Sequence, residues 1–423
     1  MTDHPRPLAD AGASASFLEV RRHNLALVMS HLRTAGARSR AAIAAETGLN
    51  KATVSSLVAE LVERGLVAEG KTERGAVGRP SQQVDLHGGA FFTVGSEVNL
   101  GYLAVVALNV RGEVVAERWV PLAADQLRAE LAVPRLASLI LEVIGPLTRA
   151  GGELVGVTFA VPGLIERSAG TVLRAPNLGW SSTPVVETMR TLLGDPGCPL
   201  LLDNEANLAA RAEVESADRA GVRNLVLLTG VVGVGAGVVA AGQLLRGVRG
   251  FAGEVGHLQL DPAGRRCGCG RRGCWETVAG LDALLAAAAD PDDTVRDPSL
   301  DLVGRLELLK DRARAGDRRT RDALRQTAEW LGVGAGILVN LFNPELLVLG
   351  GYFARLGPWL SEPLARTLPA RVFAPQSGGC RVEASALGFS AAARGGALEA
   401  LSRIFDDPTA VATTAAVPAG APA

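Results

Sequence analysis

Residues 253–276 read GEVGHLQLDPAGRRCGCGRRGCWE, and within them His257 is followed by Cys267, Cys269 and Cys274. Three thiolates and one imidazole make a closed tetrahedral set for Zn2+. Four protein ligands leave no position for a water, so the expected zinc is structural rather than hydrolytic. Gly268, Gly270 and Gly273 give the backbone freedom to wrap an ion. The second ring nitrogen of His257 is then left for a ligand hydroxyl. The competing reading of the same residues is a cluster of free thiols.

A second polar constellation stands at 201–210, LLDNEANLAA. An apolar run ends in Asp203, Asn204, Glu205 and Asn207, and apolar residues then resume at helical spacing. The pattern predicts a strand tip leading into a helix, a place where α/β sheets bind small ligands. The cluster can catalyse, or it can hold a ligand. Asn204 or Asp203 can also serve only as a helix N-cap.

The elements that must position these groups follow from composition and periodicity. The chain has 423 residues, nearly half of them hydrophobic, which allows two to three domains around a large aliphatic core. The N-terminus lacks the apolar segment of a signal peptide, and no apolar run is expected to approach a membrane span of about 20 residues. The expected location is therefore the cytoplasm. With five cysteines, three of them between 267 and 274, the chain is not a disulfide scaffold. Residues 1–16 and 407–423 are polar or rich in Pro, Ala and Thr and are expected to be disordered.

Residues 17–87 form a first unit. Leu25, Val28, Met29 and Leu32 share one helical face, and SRAAIAAETGLNKATVSSLVAELVERGLV (39–67) predicts two short helices capped by Ser39 and Asn50. The tight glycine turn between them makes a helix-turn-helix, and the Gly- and Arg-rich loop that follows makes a wing. The net charge of the whole chain is −1, yet residues 20–80 carry ten basic and five acidic side chains. Lys51, Thr53, Ser55 and Ser56 near the start of the second helix, with Arg40, can reach base edges or phosphates in a major groove. Arg79 in Gly78-Arg79-Pro80 suits a minor groove. Double-stranded operator DNA is the expected partner.

From 91 onward the pattern becomes α/β. FFTVGSEV, YLAVVALNV and EVVAERWV read as successive strands, 123–150 as helix and ELVGVTFAVPG as a further strand. LVLLTGVVGVGAGVVAAGQLLRG reads as a glycine-rich hairpin, with helical segments at 278–289 and 301–331 and a buried strand at 346–349. A multi-strand opening followed by alternating helices and strands, occurring twice, predicts two related lobes with a cleft between them.

Taken together, GEVGH…CGCGRRGCWE, APNLGW (175–180), VPG (161–163), GVGAGVV (233–239) and NLFNPELLVLGG (340–351) resemble the ROK family, which groups sugar kinases with sugar-responsive repressors. Within it the chain is similar to the xylose-type repressors. The resemblance implies a two-lobed, actin-like (ribonuclease H-like) ATPase domain over 91–405 behind the winged helix-turn-helix. It implies a sugar site lined by Asn177, Asn204, Glu205, Glu254, His257 and Glu276, and a homodimer or homotetramer. Carboxylates and amides suit vicinal hydroxyls.

The family's kinases open this domain with an Asp-x-Gly-Gly-Thr-Lys phosphate loop. Here the place reads VGSEVNLGYL (94–103), with Glu97 near the acidic position and Asn99, Leu100 and Gly101 in place of the glycines. Backbone N–H groups need glycines to close around phosphates, and Leu100 obstructs that. Val231 and Val232 stand where a glycine and a threonine are expected. Glu205 replaces the aspartate that takes the sugar's proton, a shift of about 1–1.5 Å that can cost about 100-fold in rate. The expectation is a site kept for binding, with no catalytic residue and no bound ATP. A hexose kinase carrying a DNA-binding domain is the alternative. A phosphosugar or protein effector is a third, with Arg271 and Arg272 as its candidate phosphate partners.

Overall fold

Ser39 and Asn50 each open a helix by giving a side-chain oxygen to a backbone N–H of the first turn, on Ala42 and Thr53 respectively. They belong to the N-terminal unit of the computed structural model, which describes residues 17–70, 82–297 and 299–412. Helix α1 (Phe17–Ala35) buries Leu25, Val28, Met29 and Leu32. Helix α2 (Arg40–Thr47) ends at Gly48, whose φ of 76° lies in the left-handed region. Helix α3 (Lys51–Glu63) packs Val54, Leu57, Val58 and Leu61 against both. Strands β1 (Val67–Glu69) and β2 (Gln83–Leu86) pair antiparallel, and β2 also pairs with Arg38–Ser39. This is a winged helix. The wing tip with Arg79, like residues 1–16 and 413–423, lies outside the described residues.

The second unit spans Phe91–Leu401 and contains two five-stranded sheets. In the first, β3 (Phe91–Asn99), β4 (Tyr102–Asn109) and β5 (Val114–Pro121) form an antiparallel meander. After α4 (Ala129–Arg149), β6 (Glu153–Val161) and β7 (Leu200–Asn204) add in parallel, giving the order β7-β6-β3-β4-β5. Helix α5 (Glu205–Val214) follows directly. The second sheet repeats the plan. Antiparallel β8 (Leu225–Thr229), β9 (Gly235–Ala240) and Gln243–Leu244 come first. Helices α6 (Leu302–Arg314) and α7 (Arg318–Phe342) intervene before parallel β10 (Leu346–Leu349) and β11 (Arg381–Ala384). Numbered within each lobe, both sheets have the order 3-2-1-4-5, so the lobes share one topology.

Two helices pass between the lobes at close range. Gly237 on β9 has no side chain where α5 crosses: a Cβ there would stand 2.4 Å from Ala206 O and Ala210 Cβ. Gly95 on β3 does the same for α8 (Ala391–Asp406), since its Cβ would lie 1.8 Å from Ala393 O. Larger residues at either position would push the lobes apart.

Three expectations are corrected. Residues 301–331 are not one helix: Asp317 caps α7 by accepting from Thr320 N, and Gly316 at φ 91° breaks the run. The segment after Asp406 is not tail throughout, and residues 402–412 belong to the winged unit rather than the α/β unit. Phe405 and Val411 are buried, the Arg33 guanidinium covers the Phe405 ring, and Arg64 donates to the Thr409 and Val411 carbonyls. Finally, α4 is long and apolar enough to cross a membrane by length and composition. Its apolar side, including Leu136, Ile140 and Val143, is buried with the core residues of β3, β4 and β6.

Candidate functional site

Strand register fixes the floor of the site. Glu97 on β3 pairs with Ala160 on β6, and Ala160 pairs with Asp203 on β7, all at the C-terminal ends of parallel strands. Asn204 and Glu205 come next, at the strand-to-helix junction. A cavity partly open to solvent lies there between the two sheets. Glu97, Asn177, Asn204 and Glu205 line it from the first lobe, and Glu254, His257 and Glu276 from the second. All six residues expected of the sugar site therefore meet around one cavity.

Their roles differ. Asn204 is the N-cap of α5: its Oδ1 accepts from Ala206 N and Asn207 N, and its Nδ2 donates to Gly163 O at 3.2 Å. Only one amide N–H is left for a ligand. Asp203 turns away from ligand duty altogether, accepting from Asn204 N and pairing with Arg246 at 2.9 Å and Arg167 at 3.3 Å. Glu205 keeps one carboxylate oxygen, Oε2, buried and without a hydrogen-bond partner. Burial, then the Glu97 and Glu254 carboxylates, push its carboxyl up to about 8.

Glu97 is 2% exposed. Its Oε1 accepts from Asn99 Nδ2 at 2.6 Å and from the Tyr102 hydroxyl at 2.8 Å, while Oε2 has no partner. Burial raises it to about 7 against the lowering effect of those two bonds. Burial and the Glu97 charge hold the Tyr102 phenol protonated far above its ordinary range. Sequence reasoning placed Glu97 near a vestigial phosphate loop and did not foresee Tyr102 or Phe389 in the cavity wall. The available signal was scarcity, since the chain has only two tyrosines.

On the opposite wall, His257, Cys267, Cys269 and Cys274 bring four donor atoms within 4.8 Å of one another. Cys269 Sγ and Cys274 Sγ lie 3.6 Å apart, as do Cys267 Sγ and His257 Nδ1. Tetrahedral Zn2+ with these ligands needs S···S separations of about 3.8 Å. The donor set thus fits a metal ion in chemistry and in spacing. Nδ1 of His257 faces the thiols, and Nε2 lies 3.9 Å from Glu254 Oε2. Trp275 fastens this loop: it is fully buried, donates Nε1–H to Trp330 O, and packs where α7 has Gly334. Gly233 completes the wall, since a Cβ there would stand 2.6 Å from Glu276 Oε2 and 3.4 Å from Asn177 Nδ2. Arg271 and Arg272 are exposed and are not part of the cavity wall.

In the winged unit, Lys51, Ser55 and Ser56 are exposed on α3, while Thr53 is partly buried beside the Asn50 cap. Ser56 also accepts from Arg21, which is paired with Glu60. Arg40 is tied to Glu69 at 2.7 Å, so it braces α2 to the wing strand.

A winged helix joined to a two-lobed domain of the sugar-kinase-like actin fold defines a two-part protein, one part shaped for DNA and the other built around a small-molecule cleft. The chain belongs to the ROK family, whose model matches residues 100–402. A MarR family model matches residues 26–76. The chain is similar to the putative xylose repressor of Caldicellulosiruptor sp. (strain Rt8B.4), at 32% identity over 82% of this chain and 88% of that protein. It is also similar to the glucokinase of Halalkalibacterium halodurans, at 29% identity over 72% of this chain and 93% of that one. Among solved structures, a ROK family transcriptional regulator described as a homologue of the E. coli MLC protein superposes with a TM-score of 0.74 at 24% identity, covering 92% of this chain and 97% of that one.

Proposed function

We propose that the protein is a sugar-responsive transcriptional repressor that binds operator DNA through α3 and the wing. A sugar in the interlobe cavity would release it. The observation that carries this reading is the convergence of Asn177, Glu205, Glu254, His257 and Glu276 on one cavity in a chain that also holds a winged helix. The repressor relative matches across both parts, which supports it.

The sugar's hydroxyls would donate to Glu205, Glu254 and Glu276 and accept from Asn177 and from the remaining Asn204 amide hydrogen. His257, Cys267, Cys269 and Cys274 would hold Zn2+, which supplies a rigid tetrahedral cross-link with no open coordination position. Nε2 of His257 would then be fixed toward the sugar. For the sugar to release DNA it must favour the non-binding arrangement, and a 100-fold preference corresponds to about 2.7 kcal/mol. We place the protein in the cytoplasm, acting on palindromic sites as a dimer or a pair of dimers.

A gel-shift titration of the operator with a panel of free sugars tests this reading. Loss of DNA affinity with one sugar is the expected result, and indifference to every sugar would remove the effector role. The likeness to a glucokinase keeps one rival in view. We infer that no phosphoryl transfer occurs, because Leu100 and Asn99 occupy the phosphate-loop position and Glu205 replaces the base. A coupled phosphorylation assay with ATP is expected to read zero. Turnover that disappears in Glu205→Ala would reverse that inference.

A further inference from the structure

We propose that Glu97 is an additional ligand-recognition residue, and that together with Glu205 it restricts the cavity to unphosphorylated sugars. The proposal rests on the sugar-effector reading and names the class of sugar.

The first ground is charge. Four carboxyl groups line the cavity, those of Glu97, Glu205, Glu254 and Glu276, and among the described residues no lysine or arginine does. Of the nearby arginines, Arg167, Arg211 and Arg246 are committed to Asp203 and Glu399. A phosphate dianion would enter without a countercharge, and juxtaposed like charges strongly disfavour binding.

The second ground is hydrogen bonding. Glu97 Oε1 is saturated by Asn99 and Tyr102, and its Oε2 is buried with no partner. Glu205 Oε2 is in the same condition. Buried acceptors without donors are costly unless something supplies them. A sugar hydroxyl carries a donor, whereas a phosphate dianion in its place offers only acceptors. Because Asn99 and Tyr102 hold the Glu97 carboxyl rigidly at the end of β3, the group is pre-organised to read the substituent that reaches the strand tips.

Isothermal titration of the full-length protein at about pH 9, above the raised range of Glu97 and Glu205 so that both carboxyls are ionised, with glucose, mannose and N-acetylglucosamine, each against its 6-phosphate, tests the proposal. At least one free sugar is expected to bind, with its 6-phosphate weaker by about 100-fold or more. Glu97→Gln, which keeps shape and removes charge, is expected to narrow that gap by about tenfold or more. Glu97→Asp keeps the charge and is expected to retain most of the gap. Thermal melts of each variant establish folding, and discrimination by the Asp variant guards against a Gln variant that is merely unfolded. A phosphosugar that binds as tightly as its parent, or a Gln variant that discriminates like the wild type, overturns the proposal. Operator release by a 6-phosphate but not by its free sugar would do so while leaving the sugar-effector reading standing. No binding by any of the six compounds would also overturn the proposal, while the sugar-effector reading would still be decided by the wider gel-shift panel.

Discussion

The Cys267 thiol donates to Glu276 Oε1 at 2.7 Å, and the same oxygen lies 3.6 Å from His257 Nδ1. A cavity carboxylate is thus one contact away from two of the four candidate metal ligands. The order of the 257–276 loop and the shape of the cavity wall are therefore the same structural problem, and metal and sugar binding should be linked.

Removing the metal, by chelation or by Cys269→Ser, is expected to weaken sugar binding by about 10- to 100-fold, because the loop that presents His257 and Glu276 loses its cross-link. Calorimetry on metal-replete and metal-free protein measures this. Equal sugar affinity in both preparations would separate the two sites.

Asn204 serves the fold as the N-cap of α5. Asn204→Ala removes the cap of α5 and is expected to cost about 1 kcal/mol in urea denaturation. Asn204→Asp keeps an oxygen acceptor for Ala206 N and Asn207 N and is expected to recover most of that loss. Equal destabilisation by the two variants would contradict the capping role.

The buried carboxyl groups predict a pH dependence of the ligand-free protein. Glu97 and Glu205 are raised from an ordinary 4.5 to about 7 and about 8. Between those limits the folded protein holds protons that the unfolded chain has released, so this contribution is full below about 4.5 and is lost as pH rises toward 8. Thermal stability should fall between pH 6 and pH 8.5. Glu205→Gln should flatten the decline, raising Tm at pH 8.5 by about 2–4 °C for each kcal/mol relieved. A variant whose melting profile parallels the wild type across that range would refute the assignment.

Lys51 stands exposed at the first turn of α3, whereas Arg40 is occupied by Glu69. Lys51→Ala is expected to weaken operator binding and to reduce the slope of log affinity against log salt by about 1. Arg40→Ala should act mainly on the stability of the winged unit. Fluorescence anisotropy over a salt series, paired with melting curves, distinguishes the two, and an unchanged salt slope for Lys51→Ala would remove it from the phosphate contacts.

Local rules were sufficient for much of this protein. Ser39, Asn50 and Gly48 mark helix ends in the sequence because capping needs only a side-chain oxygen or a left-handed φ. The His-Cys-Cys-Cys spacing marks a candidate metal site because its donors sit on one short loop. The repeated opening of strands exposes the two lobes. What the chain alone left open depended on contacts between distant segments. Whether Asn204 caps or binds was decided by Gly163 O and the turn of α5. Residues 402–412 belong to the winged unit because Arg33 and Arg64 meet Phe405 and Val411 across more than 300 residues. Glu97 stands out only in the folded protein, where burial strips its water and leaves one oxygen unmatched. Spacing along a chain encodes what neighbours do, and desolvation by remote surfaces is a property of the folded body.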